Sequence, residues 1–261
     1  MGMLETFYTK HVDRVIQWVT FGVPDPKIMP WRYVINLQKA GTGLFCFGLM
    51  WKYQNFSLAA YSYTALHGTY GLVWLMKDAI HPDPQWDLKI SLWGALNSFL
   101  IVLGPYWYAA WHTIANRVEV SPPRMALAVF LNIIGVVMMM GSDVQKFYVL
   151  KERRRAGTAA QSGQKKASGE VEAAEKKKSL ISDGWFSRCR NPNYLGEMLI
   201  YGSFAVLAQS WIAWGILGSI WGTLFLRNMW MKEVSLRKKD GWKEYERRSG
   251  FLFPYLGRVS S

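Results

Sequence analysis

Charge in this 261-residue chain is so unevenly placed that long stretches carry none, and this limits the possible folds more than any motif does. Residues 57–76 (SLAAYSYTALHGTYGLVWLM) and 90–111 (ISLWGALNSFLIVLGPYWYAAW) contain no Asp, Glu, Lys or Arg. Residues 125–141 are equally clean though shorter, and 198–226 make 29 uncharged positions in a row. A helix crosses a ~30 Å hydrocarbon core with roughly 20 mostly apolar residues. The mean hydropathy of 0.00 hides the pattern because charge collects elsewhere: residues 151–178 hold nine Lys/Arg against four Glu, and 227–261 hold nine against four acids. A net charge of +13 would suit nucleic acid, anionic lipid or a phosphorylated cofactor. Its confinement beside apolar runs points to the lipid bilayer as partner and away from nucleic acid.

Residues 34–51 are a further candidate span, with Asn36, Gln38 and Lys39 crowding one end, so these side chains either snorkel or face the protein interior. The run 198–226 is long for one span. A single helix there would put the two basic segments on opposite sides, against the tendency of Lys and Arg to stay cytoplasmic. A hairpin that breaks near Gln209 and Ser210 keeps both in the cytosol. The predicted fold is therefore all-α, a polytopic membrane bundle of about six transmembrane helices with a cytosolic N-terminus. Before it, Leu4, Phe7, Tyr8, Val12, Val15, Ile16 and Val19 follow helical spacing. They predict an amphipathic helix within 1–33 that lies on the membrane surface or packs on the bundle. The expected divisions are this segment, helices within 34–141, a cytosolic basic loop at 142–192, and a helical hairpin with a basic tail at 193–261. Residues 155–180 offer little to bury and are expected to form a mobile insertion in the loop. Cys46 sits in an apolar run and Cys189 beside a basic motif, so no disulfide is expected.

Polar residues are densest at WFSRCRNPNYLGE, residues 185–197. Arg188 and Arg190 precede a predicted helix start at Pro192, where guanidinium groups and open backbone N–H groups favour an anion. The alternative role for the arginines is interfacial anchoring. Glu197 falls one turn into an apolar helix, where a carboxylate needs a partner, a proton or a ligand. In the second span, Tyr63, His67 and Tyr70 share one helical face, and an imidazole in an uncharged span is a candidate for proton transfer. Hydrogen bonding to a neighbouring helix is the plainer role for that histidine. His81, Asp83 and Asp87 lie among prolines and read as a turn, so no metal is expected.

The stretch RNPNYLGE resembles the RHPNYxGE signature of the steroid 5α-reductase and sterol reductase superfamily. LRNMWMKEVSLRKKDGWKEYERRSGFLFPYL, residues 226–256, resembles that family's ending, and GSDVQKF at 141–147 resembles the polar exit of the helix before its loop. The resemblance covers most of 141–256 and implies a reductase-like membrane domain with an NADP(H) pocket open to the cytosol. The implied activity is reduction of an activated C=C bond in a lipid-like, hydrophobic small-molecule substrate: steroid, sterol, isoprenoid or enoyl. By position it implies cofactor contacts at Asp143, Lys146, Asn193, Tyr194, Glu197 and Arg227, with Arg190, Lys232, Glu233 and Tyr245 as further carry-overs. Asn191 stands where the signature has His. The proton donor is expected to be Tyr70 or Tyr63, oriented by His67, with Glu197 also a catalytic candidate. The endoplasmic reticulum is the implied location. Two other readings remain: an S-adenosylmethionine-dependent membrane methyltransferase of the isoprenylcysteine or phospholipid type, whose tail motifs are similar, and a non-catalytic membrane scaffold.

Overall fold

The computed structural model describes residues 2–21, 26–161 and 180–257. The described residues are 79% helical with almost no strand, so the all-α class holds. It divides into two compact units, the first formed by residues 1–136 and 197–228, the second by 137–196 and 229–261.

In the first unit, α1 (Met3–Thr6), a π-helical segment (Phe7–Val12) and α2 (Asp13–Phe21) form a nearly continuous N-terminal helix. It packs on its own unit: the Tyr8 hydroxyl donates to the Gly222 carbonyl at 2.7 Å, and Asn97 Nδ2 donates to the Val19 carbonyl at 3.4 Å. Its other side keeps Phe7, Val15 and Trp18 exposed. Two-residue strands β1 (Met29–Pro30) and β2 (Lys89–Ile90) then pair antiparallel, Met29 opposite Ile90. Helices α3 (Trp31–Lys52) and α4 (Leu58–Ile80) form the framework of the unit. The Ser57 side chain caps α4 by accepting from the Ala60 N–H. The loop after α4 is fastened by Arg32, which pairs with Asp87 at 2.8 Å and with Asp78 at 3.6 Å, while Asp83 caps the short turn that holds Asp87.

Helices α3 and α4 approach closely because glycines face the contact. A methyl on Gly68 would sit 3.5 Å from the Gly43 Cα, an ordinary contact, whereas one on Gly71 would overlap the Lys39 carbonyl. Gly71→Ala must force the two backbones apart, at a cost of about 1–3 kcal/mol. Its thermal midpoint in detergent is expected to fall by several degrees, with Gly68→Ala much closer to wild type.

The expected span at 90–111 is not a uniform helix. Its path is α5 (Leu92–Asn97), a π-helical segment (Ser98–Leu103), a 3₁₀ turn (Gly104–Trp107) and α6 (Tyr108–Ala115). Pro105 lacks an N–H to donate and its ring crowds the preceding turn, which accounts for the change of helix type.

Helix α7 (Pro122–Gln161) does not stop at 141. The expected loop at 142–192 is helical to Gln161, because residues 142–155 contain neither Gly nor Pro and carry good helix formers such as Gln145, Lys146, Leu150 and Glu152. The stretch Pro122–Thr158 is long and apolar enough to cross a membrane, with a mean hydropathy of 2.1 over its most apolar portion. Of the expected mobile insertion, residues 155–161 belong to this helix and 162–179 lie outside the described residues. The uncharged run after Glu197 breaks where expected: α8 (Pro192–Ala208) ends at Gln209, whose φ of 50° turns the chain, and α9 (Trp211–Ile220) returns so that Trp214 lies over Gly202. A π-helical segment (Trp221–Phe225), α10 (Leu226–Leu236) and α11 (Trp242–Arg248) complete the chain, with Gly241 at φ 75° supplying the left-handed turn before α11.

Candidate functional site

The second unit is closed by its own C-terminal tail. Residues 188–190 lie beside Gly250, with the Arg190 N–H donating to the Gly250 carbonyl and the Gly250 N–H to the Arg188 carbonyl, both at 2.9 Å. Side chains complete the clasp. Asn191 Nδ2 donates to the Phe251 carbonyl at 2.8 Å, and Arg188 donates to the carbonyls of Tyr255 and Gly257. The Arg190 guanidinium grips the buried Glu233 carboxylate, Nε and Nη2 reaching Oε1 at 3.0 and 2.9 Å, and its Nη1 donates to the Ser249 carbonyl. Tyr245 donates to the Phe186 carbonyl at 2.9 Å. Both cysteines are free and buried. Burial raises the Cys189 thiol above its ordinary range, so it is not an activated nucleophile.

The arginines of the motif, expected to face an anion, are thus committed to the protein's own carbonyls and to Glu233. Arg190, Glu233 and Tyr245 hold the fold of this unit. The sequence cannot display this because the acceptors are backbone atoms about 60 positions away. Asn191 uses its amide N–H for a bond that an imidazole N–H could also make, and its Oδ1 has no hydrogen-bond partner. Asn191→His is therefore expected to fold with a thermal midpoint within a few degrees of wild type, since donation to Phe251 is retained.

A cationic focus lies beside the clasp. Lys232, on α10, donates to the Arg190 carbonyl at 2.5 Å. Burial lowers its pKa to about 8; the nearby Lys146 ammonium pushes the same way, and Cys189, Glu233 and Asp143 offset part of the shift. Two of the expected cofactor residues, Lys146 and Lys232, are therefore close enough to repel each other, with Asp143 beside them. Asn193 and Tyr194, in the first turn of α8, are half-buried. The other five expected cofactor positions, Asp143, Lys146, Asn193, Tyr194 and Lys232, belong to the second unit, Lys232 being bonded to the clasp through the Arg190 carbonyl.

Glu197 and Arg227 belong to the first unit. Arg227 Nε donates to Asp13 Oδ1 at 2.9 Å and its Nη2 completes an ion pair with the same oxygen, so the N-terminal helix supplies its partner. Glu197 lies within electrostatic range of Lys39. Lys39 takes the interior course rather than snorkelling: its Nζ donates to the Tyr201 hydroxyl at 2.5 Å and is ringed by Tyr70, Trp74, Tyr106 and Tyr201, at 4.6–5.6 Å from their ring centres. Cation–π attraction and this hydrogen bond offset the loss of hydration.

The expected triad divides. The Tyr63 hydroxyl meets His67 Nδ1 at 3.2 Å, His67 stacks on Phe204 at 4.1 Å, and His67 Nε2 is buried without a hydrogen-bond partner. Tyr70 shares the helix face but sends its hydroxyl to Tyr201 Oη at 3.3 Å, away from His67. Sequence reasoning missed Tyr201 as a member. It stands one turn after Glu197 on the same face of α8, the signal that could have found it. Tyr201 and Tyr106 also border an apolar hollow whose walls include Ala109, Phe204, Ala213 and Ile216.

A family model described as "Protein of unknown function (DUF1295)" matches residues 92–251, more than half of the chain. The chain belongs to the DUF1295 family. That family includes steroid 5α-reductase-like proteins, and the match spans WFSRCRNPNYLGE, the clasp as far as Phe251 and the Lys146–Lys232 pair. Among the described residues no group of His, Cys, Asp and Glu could hold a metal ion.

Proposed function

We propose that this DUF1295 protein is a polytopic membrane reductase that uses NADPH to reduce an activated C=C bond in a lipid-like substrate. The observation that carries the reading is the Lys146–Lys232 pair beside the family motif. Two half-buried ammonium groups in electrostatic contact attract a polyanion such as a dinucleotide phosphate, and Asn193 and Tyr194 offer amide and phenol groups in the first turn of α8. S-adenosylmethionine carries no phosphate, so the pair offers a methyltransferase no comparable advantage. When bound, the cofactor would supply hydride; the second unit's part is to hold its phosphates.

A bilayer setting accounts for the outward faces of the first unit. Leu37, Leu44 and Trp51 recur every seven residues along α3 and are 65%, 76% and 73% exposed, a stripe that water would not favour. The endoplasmic reticulum, with the basic segments in the cytosol, follows from the family resemblance. Transfer of deuterium from the 4-position of labelled NADPH into a membrane lipid extract tests the activity. Label in a saturated CH–CH product supports it, and methyl transfer from S-adenosylmethionine to the same extract overturns it.

A further inference from the structure

We infer that the loop from Phe253 to Gly257 is a membrane-docking finger: Phe253 and Leu256 enter the interfacial layer of the bilayer, and neighbouring arginines meet anionic headgroups around them. The inference rests on the bilayer reading of the chain and is independent of the reductase chemistry. The loop lies beyond residue 251, where the family match ends. Phe253 is 70% and Leu256 90% exposed. Single exposed apolar residues are common on any protein, but here Phe253, Pro254, Tyr255 and Leu256 are exposed in succession and form a continuous apolar tip.

The clasp holds the base of this finger. The Tyr255 N–H donates to the Arg188 carbonyl at 2.8 Å, and Arg188 Nη1 donates to the carbonyls of Tyr255 and Gly257, both at 3.2 Å. A methyl on Gly250 would overlap the Phe253 carbonyl, and one on Gly257 would overlap the Tyr255 ring, so the chain folds tightly on itself. A tip ordered in advance loses little conformational freedom when it enters lipid.

Position and charge decide what covers the tip. The uncharged run of α7 ends at Gly141, and the Trp185 ring lies so close to that glycine that a methyl there would overlap it. Trp185 is itself exposed, an indole at the end of an apolar span, the place that interfacial tryptophans take. Arg188 follows three residues later, at most about 11 Å of extended chain. The finger that Arg188 holds is thus tied to the level at which α7 leaves the hydrocarbon. Glu246 is the last acid of the chain, whereas Arg247, Arg248 and the exposed Arg188 flank the tip. Cations around an apolar tip match an anionic headgroup layer over hydrocarbon.

Depth-dependent quenching of the full chain in vesicles tests this. Cys46 and Cys189 are buried, so a nitrobenzoxadiazole maleimide goes to an introduced cysteine, with wild type as the blank. Leu256→Cys is compared with Phe130→Cys, on the apolar run of α7, and with Asp240→Cys, an exposed position before α11. The vesicles hold phosphatidylcholine and phosphatidylserine at four to one. The quenchers are a lipid with a doxyl group high on its acyl chain and aqueous iodide. The label at 256 is expected to be quenched by the lipid and shielded from iodide, as at 130, with the reverse at 240. Phe253→Ser should lower the ratio of inserted to withdrawn loop about 10-fold, the loss of one side chain from apolar surroundings. Arg247→Gln should lower it about fivefold, an effect that vanishes in vesicles of phosphatidylcholine alone. Iodide quenching at 256 equal to that at 240 overturns the inference. So does shielding at 256 from both quenchers, which would place a second protein copy over the tip. If the label at 130 is out of reach of the lipid quencher, the bilayer reading falls and the finger with it; lipid quenching at 130 without quenching at 256 removes the finger alone.

Discussion

Replacing Arg190 with methionine is expected to destabilise the second unit by about 3–5 kcal/mol, because it strands the Glu233 carboxylate in a site only 2% exposed. The guanidinium forms a bidentate contact with that carboxylate and also donates to the Ser249 carbonyl, so several buried acceptors lose their donor together. The sign of the pH effect follows from Glu233. Burial raises its pKa, and Arg190 holds part of that rise back. Without the arginine the pKa climbs further, so the variant is least stable above that pKa and recovers as the pH falls and the carboxyl takes up a proton. Arg190→Met combined with Glu233→Met should recover much of the loss even at neutral pH, because an apolar pair of similar volume needs no charge compensation. Thermal unfolding of the two variants across pH 5–8 checks both statements. A single variant as stable as wild type would show that the clasp contributes nothing.

Lys232→Met is expected to weaken NADPH binding by about 10- to 100-fold, the effect of losing one ammonium–phosphate contact. Lys232 has the largest expected effect because its ammonium is held at the family motif by the Arg190 carbonyl. The pH dependence has a defined direction. The free amine has a pKa of about 8, and a bound phosphate stabilises the ammonium, raising that value. Affinity is therefore full below pH 8 and declines as the pH rises above it. Lys232→Arg stays protonated throughout and should abolish the decline. An affinity flat from pH 7 to 10 in wild type would remove Lys232 from the site.

The helices and the break at Gln209 were legible because charge and hydropathy act locally, and both leave their mark in consecutive residues. The change of helix type around Pro105 was signalled by one residue within an otherwise uncharged run, and the continuation of α7 beyond Gly141 was hidden by a charged sequence that also suits a loop. At the site, the motif and Lys232 could be found by resemblance. The fates of Arg190 and Arg227 could not, because one is decided by a carboxylate 43 positions away and the other by Asp13, 214 positions away. Lys39 and Tyr201 illustrate the same limit: each is ordinary in its own helix, and only the packing of α3 against α8 makes them a pair.

The central claim is that the second unit is built for a phosphorylated dinucleotide. Calorimetric titration of the purified full chain with NADPH, NADH and S-adenosylmethionine tests it most directly. The account predicts that NADPH binds, that NADH, lacking the 2′-phosphate, binds at least about 10-fold more weakly, and that S-adenosylmethionine gives no saturable heat. Binding of S-adenosylmethionine alone, or equal binding of NADPH and NADH that is indifferent to Lys232→Met, would contradict it.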